Sequence, residues 1–376
     1  MNDSLLIIAG EASGDLHGSA LIKELIRFKP DINVFGIGGK NMKDAGLNAV
    51  YDIEKLAFLG FTEVIKHIPF IKKVQKDIID KVLFLNTKTA VLIDYPGFNL
   101  SIAKKLKKLG LKIIYYISPQ IWAWGKGRIS KIKKLVDHMI VLFPFEKELY
   151  QKEDVKVTFS GHPLIERIKN YNFIEADEFR KKYGISKDIL LIMPGSRHHE
   201  IELILPECVK AARYLSDKYD LQPVIACSGN ISEDIFRGKP ELEDFKIIKG
   251  FTYELLKYSR LGIIKSGTST LEAGLFCLPY VVVYKTSRLT YEIGRVLIKI
   301  KNIAIVNIIL QKNVIKELIQ NDVESRKISE ECSKILDDVN YYNRLKNDLA
   351  ALEKLLGNKN ASEEAAKIII EEMKNV

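Results

Sequence analysis

The sequence predicts an α/β protein made of two Rossmann-like, doubly wound domains facing a cleft, with helices at its C-terminal end. Three observations point there. Short apolar runs alternate with helical patterns, the alternation restarts after Ser160-Gly161-His162-Pro163, and 376 residues suit two cores better than one. The expected division is a first domain over 1–163, a second over 164–340 and a helical segment over 341–376.

The elements follow in order. Leu5-Leu6-Ile7-Ile8-Ala9 is a continuous apolar run ending at Gly10, the mark of a strand buried on both faces of a parallel sheet. A helix is expected from about Ala20 to Phe28, and a strand at Val34–Ile37. Ala90–Ile93 and Lys112–Tyr116 read as strands around a helix at Leu100–Leu109. In that helix Ile102, Ala103, Leu106 and Leu109 share one face, and Lys104, Lys105, Lys107 and Lys108 cover the other. Met139–Phe143 reads as a strand that closes the first series. The second series has strands at Ile189–Met193, Pro223–Ala226, Gly262–Ile264 and Tyr280–Val283. From about Val323 onward the pattern is helical.

Composition narrows the class. No run approaches the roughly 20 apolar residues of a membrane span. Leu5–Ile8 is too short for a signal peptide, so a cytoplasmic protein is expected. The four cysteines lack any C-x-x-C spacing, which argues against zinc and against a disulfide framework. Of the net charge of +10, most lies in residues 1–163, with 25 Lys and Arg against 17 Asp and Glu. A basic half suits an anionic membrane surface or a nucleic acid, or is simply a solvated lysine face. A nucleic-acid reader needs lysines and aromatics interleaved on one face, and the lysines of 104–108 do not offer that, so no nucleic-acid partner is expected.

Four loops could carry chemistry. In Ala9-Gly10-Glu11-Ala12-Ser13-Gly14-Asp15, small residues allow close backbone approach. The acids Glu11 and Asp15 suit hydroxyls better than phosphate, and an ordinary tight turn is the alternative. Asp94 follows a buried strand in Asp94-Tyr95-Pro96-Gly97-Phe98-Asn99. It can take a proton from an attacking alcohol, or cap the next helix. Gly195, Ser196 and Arg197 form a diphosphate-type corner at a helix start. Ser266, Gly267 and Thr268 form a second, with Glu272 one turn further on, able to accept from two ribose hydroxyls or to favour the helix dipole. G-x-G-x-x-G and Walker spacings are absent. Adjacent His198 and His199 point about 100° apart on a helix, and no D-x-D pair exists. No metal and no cofactor are expected.

Taken together, A-G-E-A-S-G-D at 9–15, I-D-Y-P-G-F-N at 93–99, S-P-Q-I-W-A-W at 118–124, F-P-F-E at 143–146, G-H-P at 161–163, P-G-S-R at 194–197 and S-G-T-S-T-L-E at 266–272 resemble the lipid A disaccharide synthase family, glycosyltransferases of the GT-B type. The resemblance spans essentially the whole chain. It implies inverting transfer of 2,3-diacylglucosamine from UDP-2,3-diacylglucosamine to the 6-hydroxyl of 2,3-diacylglucosamine 1-phosphate. Asp94 and Glu11 fall on catalytic positions, with Ser13, Gly14 and Asp15 in the acceptor loop. Gly195, Ser196, Arg197, Ser266, Gly267, Thr268, Glu272 and Asn307 fall on the UDP site. Asn307 sits in Ala304-Ile305-Val306-Asn307, where the family has S-L-P-N. Gly97 stands where the family often has a second acid and is given no role.

The resemblance further implies peripheral attachment to the cytoplasmic face of the inner membrane, and it allows a homodimer with swapped C-termini. Residues 56–76 mix Leu56, Phe58, Leu59, Phe61, Ile65, Ile68, Phe70 and Ile71 with lysines, which suits an interfacial segment or a core helix with snorkelling lysines. Trp122 and Trp124 could stack on a sugar or floor the cleft. The alternative of the same fold is a peptidoglycan lipid-linked GlcNAc transferase or a UDP-GlcNAc 2-epimerase.

Overall fold

A computed structural model describes residues 3–55, 67–119, 127–288, 291–292, 302–357 and 359–375. The chain forms two compact units, Met1–Glu166 with Leu356–Val376, and Arg167–Leu355.

The first unit holds strands β1 (Ser4–Ala9), β2 (Asn33–Gly38), β3 (Asn48–Asp52), β4 (Thr89–Ile93), β5 (Lys112–Tyr116), β6 (His138–Val141) and β7 (Val157–Phe159). Its helices are α1 (Ala12–Phe28), α2 (Lys40–Asp44), α3 (Ile68–Phe84), α4 (Pro96–Lys108), α5 (Gly127–Leu135) and α6 (Pro144–Gln151), and the boundary between the units falls within α7 (Pro163–Lys169). The sheet is parallel in the order β3-β2-β1-β4-β5-β6-β7. Leu5–Ala9 and Ala90–Ile93 are fully buried because helices cover both faces.

α1 starts eight residues before the position expected from sequence, immediately after Glu11. Its glycines weaken the helical signal but serve packing. A Cβ on Gly14 would stand 3.2 Å from that of Ala9, and one on Gly18 would stand 2.6 Å from the Met42 sulfur. Residues 12–15, expected to be loop, are therefore the first turn of a helix.

Of the segment 56–76, the positions Leu56, Phe58, Leu59, Phe61 and Ile65 lie outside the described residues, as do Trp122 and Trp124. The remainder opens α3 with Pro69 in its first turn. There Phe70 and Ile71 pack on the core and Lys72, Lys73 and Lys76 face outward, so this part behaves as an ordinary amphipathic helix.

The second unit holds β8 (Asp188–Met193), β9 (Leu221–Cys227), β10 (Lys246–Lys249), β11 (Ser259–Lys265), β12 (Tyr280–Tyr284) and β13 (Glu317–Ile319). Its helices are α8 (Ala176–Tyr183), α9 (His198–Tyr219), α10 (Thr252–Tyr258), α11 (Thr268–Leu275), α12 (Ile305–Leu310), α13 (Ser325–Asp337) and α14 (Val339–Leu356). Its parallel sheet runs β10-β9-β8-β11-β12-β13.

The segment 341–376 divides. α14 stays with the second unit, whereas α15 (Ala361–Lys374) packs on α1 of the first. Ala365, Ala366 and Ile369 join the core that contains Leu21, Ile22 and Leu25.

Candidate active site

In an open parallel sheet the ligand crevice opens beyond the strand carboxyl ends where the strand order reverses. In the first unit that point lies between β1 and β4, whose ends pair as Ala9 with Ile93. The loops leaving them carry Gly10-Glu11 and Asp94-Tyr95. Topology thus brings Glu11 and Asp94 together.

Asp94 and Tyr95 are both left-handed, with φ of 45° and 46°. For Tyr in particular this is a strained backbone. Four contacts hold it. The Asp94 N–H donates to the Tyr116 carbonyl at 3.1 Å, and the Tyr115 hydroxyl donates to the Asp94 carbonyl. The Asn99 amide donates to the carbonyls of Ile93 at 3.1 Å and of Asp94 at 2.8 Å. Gly10 makes room for the turn, because a Cβ there would sit 2.1 Å from the Tyr95 ring. The N-cap of α4 is Tyr95, not Asp94, so Asp94 does not act as the helix cap.

Half-buried, the Asp94 carboxyl is pushed up to about 6, chiefly by burial and then by the charge of Glu11, with the Tyr95 N–H pulling it partly back. A carboxylate of that basicity can receive a proton near neutral pH.

The rest of the first loop divides by function. Glu11 and Ser13 are exposed, while Gly14 and Asp15 are buried. The Asp15 carboxylate accepts from the N–H groups of Gly39 (2.7 Å), Asn41 (3.1 Å) and Met42 (3.1 Å), and from the Asn41 side chain (2.8 Å). It anchors the start of α2 rather than gripping a ligand's hydroxyl, as the sequence had suggested.

In the second unit the reversal lies between β8 and β11. Gly195, Ser196, Gly267, Thr268 and Glu272 all line one cleft of about 490 Å³ there. A larger groove of about 980 Å³ among α9, α13 and α14 contains none of these residues. Glu272 is pushed up to about 7 by burial, moderated by the charge of Arg167.

Three expected donor residues lie elsewhere. Arg197 does not line the cleft; its side chain is 69% exposed and its guanidinium pairs with Glu200 at 3.1 Å. The Ser266 hydroxyl donates to the Ile303 carbonyl at 3.3 Å. Asn307 is buried, donates to the Ile315 carbonyl (2.8 Å) and the Glu317 carboxylate (2.9 Å), and accepts from the Ile315 N–H (2.9 Å). It staples α12 to the approach of β13, with no free polar atom to offer a nucleotide.

Other lining residues went unread in the sequence: Lys265, Arg167, Tyr171 and Tyr253. Lys265 had a signal, a cation ending a buried strand immediately before Ser266-Gly267. Tyr171 and Tyr253, edge to face at 4.9 Å, had none, since they converge only in the fold. Among the described residues no cluster of three or more His, Cys, Asp or Glu is arranged to hold a metal ion. No helix among them is long and apolar enough to cross a membrane.

A family model described as lipid-A-disaccharide synthetase matches residues 5–370. The lipid-A-disaccharide synthase of Syntrophus aciditrophicus is 38% identical over 373 residues, 97% of either chain. That of Coxiella burnetii is 38% identical over 375 residues, 98% of either chain. Among solved structures, a putative UDP-N-acetylglucosamine 2-epimerase from Listeria monocytogenes has a TM-score of 0.68 at 11% identity, covering 100% of this chain and 98% of that one. The calicheamicin glycosyltransferase CalG4 has a TM-score of 0.65 at 11% identity, covering 100% and 99%. At that identity the two structures speak for the fold, which is of the GT-B type. The family match runs from β1 into α15, and the chain accordingly belongs to the lipid-A-disaccharide synthase family, the hexosyltransferases of lipid A biosynthesis.

Proposed function

We propose that the enzyme transfers 2,3-diacylglucosamine from UDP-2,3-diacylglucosamine to the 6-hydroxyl of 2,3-diacylglucosamine 1-phosphate, with inversion and without a metal. The observation that carries this reading is Asp94, a carboxyl held near pKa 6 at the switch point of the first unit. In a single displacement the acceptor oxygen bonds the anomeric carbon and its proton passes to Asp94. The bond from that carbon to the diphosphate breaks, and its electron pair leaves on the phosphate oxygen.

Glu11 keeps Asp94 basic, and Ser13 beside it faces the acceptor. Gly14 and Asp15 shape the loop from behind. Around the donor, Gly195, Ser196, Gly267 and Thr268 approach the diphosphate and Glu272 accepts from the ribose hydroxyls. Arg197 on the rim meets the sugar nucleotide as it enters. With no D-x-D pair in the sequence, lysine and arginine take the charge-neutralising part a metal plays elsewhere. Both substrates carry acyl chains, and the positive excess of residues 1–163 favours the anionic cytoplasmic face of the inner membrane.

The test mixes purified enzyme, both substrates, detergent and EDTA. The expected outcome is a β-linked disaccharide phosphate, with UDP appearing only when acceptor is present. UDP or an epimerised sugar formed without acceptor would refute the assignment.

A further inference from the structure

Two cations that the sequence motifs did not assign line the cleft of the second unit among the described residues: Arg167, whose charge acts on Glu272, and Lys265, which stands at the small-residue turn. Lys265 is the last residue of β11, one past Ile264, which pairs with Met193 of β8 across the switch point, and it stands immediately before the turn at Ser266-Gly267. Its side chain is 15% exposed and lines the cleft, whereas that of Arg197 does not. Its ammonium lies 2.9 Å from Glu200 Oε1 and 5.7 Å from the centre of the Tyr284 ring.

Glu200 is itself buried and joins the parts of this corner. Oε1 takes both Lys265 and, at 3.1 Å, Arg197; Oε2 takes the Ser196 N–H at 3.4 Å. Burial, the largest single influence on Glu200, pushes its carboxyl up. The hydrogen bond and charge of Lys265, then Arg197 and the Ser196 N–H, together hold it below the usual carboxylate range. It is therefore ionised at neutral pH, and one carboxylate oxygen is shared by two cations.

We infer that Lys265 neutralises the diphosphate of the departing nucleotide, and that Glu200 is a positioning residue that parks Lys265 until that charge develops. The inference rests on the donor-site reading above and names the lysine that serves it. The chemistry agrees with the geometry. A lysine largely sheltered from water interacts with a phosphate far more strongly than one in bulk solvent. A shared carboxylate oxygen is a weak enough hold that a doubly charged leaving group outcompetes it.

The experiment compares binding of uridine and of UDP, by calorimetry, with single-turnover transfer rates. Lys265→Met should leave uridine affinity within twofold, lower UDP affinity by roughly tenfold or more, and slow transfer by about 10²–10³-fold. Lys265→Arg should restore part of both. Because Lys265→Met leaves a buried carboxylate without its closest cation, the double variant Lys265→Met with Glu200→Gln serves as the folding control and should show the same selective loss.

Glu200→Gln alone distinguishes positioning from mere scaffolding. It frees two cations, so UDP should bind several-fold tighter while turnover falls about tenfold. Loss of both together would mark Glu200 as structural only and overturn its part. An unchanged UDP-to-uridine ratio in the double variant would overturn the role of Lys265. Wild-type enzyme in which UDP protects no amides of 195–196 or 265–272 from exchange would overturn the donor site itself, a failure visible without any variant.

Discussion

Under the proposed reaction, the role of Asp94 as proton acceptor opposes stability. Its proton is held more tightly in the folded chain than in the unfolded one, so ionising it costs stability as pH rises from about 4 to about 6. The cost at pH 7 is at most about 3 kcal/mol, and less to the extent that water reaches the half-buried group. Asp94→Asn keeps the shape and removes the charge. The expected outcome is a transfer rate lower by ~10²–10⁴ together with a melting temperature higher by about 2–6 °C at pH 7. A variant that loses stability as well as activity would argue that Asp94 is structural. In the wild type, turnover should decline as pH falls through about 6, and calorimetry with a rate–pH profile checks both. Glu272 obeys the same logic with a ligand. Its carboxyl stands at about 7, and ribose hydroxyls donating to it favour the ionised form, so uridine binding near pH 6.5 should release a proton. Titration in two buffers of different ionisation enthalpy measures the release. Glu272→Gln should abolish it and weaken uridine binding by roughly 1.5–3 kcal/mol; equal proton release in the variant would place the ribose elsewhere.

At the scale of elements, α4 and α15 each act through a side chain that reaches another segment. Asn99, in the first turns of α4, holds the two carbonyls that fix the left-handed turn at Asp94. Asn99→Ala should leave uridine affinity unchanged, cost about 1–3 kcal/mol of stability and slow transfer by up to ~10²-fold. An unaltered rate would mean the turn keeps its shape unaided. The strands that bear these sites were legible in the sequence because they are continuous apolar runs. β3, β7, β10 and β13 were not, since they are short edge strands, mostly half-buried, with little periodicity. Candidate positions were easiest to read where a motif lies just past a buried strand, as Asp94 does after Ile93 and Gly195 does after Met193-Pro194. It was misread where a polar residue is consumed internally, as with Asp15 and Asn307, because a motif carries no record of which hydrogen bonds are already made. Lys265 was missed although it ends a buried strand before a small-residue turn, since that signal gains meaning only when topology sets it beside Glu200.

For the whole molecule, the consequence of this topology is that one unit is assembled from both ends of the chain and the other from a continuous stretch between them. The first unit therefore cannot be completed until α15 arrives. Ala361, Ala365, Ala366 and Ile369 are fully buried, and Glu372 is gripped by Lys112, His138 and Lys156 from the starts of β5, β6 and β7. Burial, its largest influence, raises the Glu372 carboxyl, yet those three partners together bring it down to about 2. A carboxyl depressed in the folded state stabilises above its unfolded pKa, and that contribution fades as pH falls from about 4.5 toward 2. Glu372→Gln should accordingly cost about 3 kcal/mol at pH 7 and flatten the acid limb of the stability curve. Ending the chain after Leu356 removes the apolar contacts as well, for a loss of about 5 kcal/mol or more. That is comparable with the whole stability of many domains. The expected calorimetric trace of the truncated chain has an early transition for the first unit and a later one, still raised by UDP, for the second. A single transition insensitive to UDP would show that the second unit needs α15 too, and that the two cores are not energetically separate.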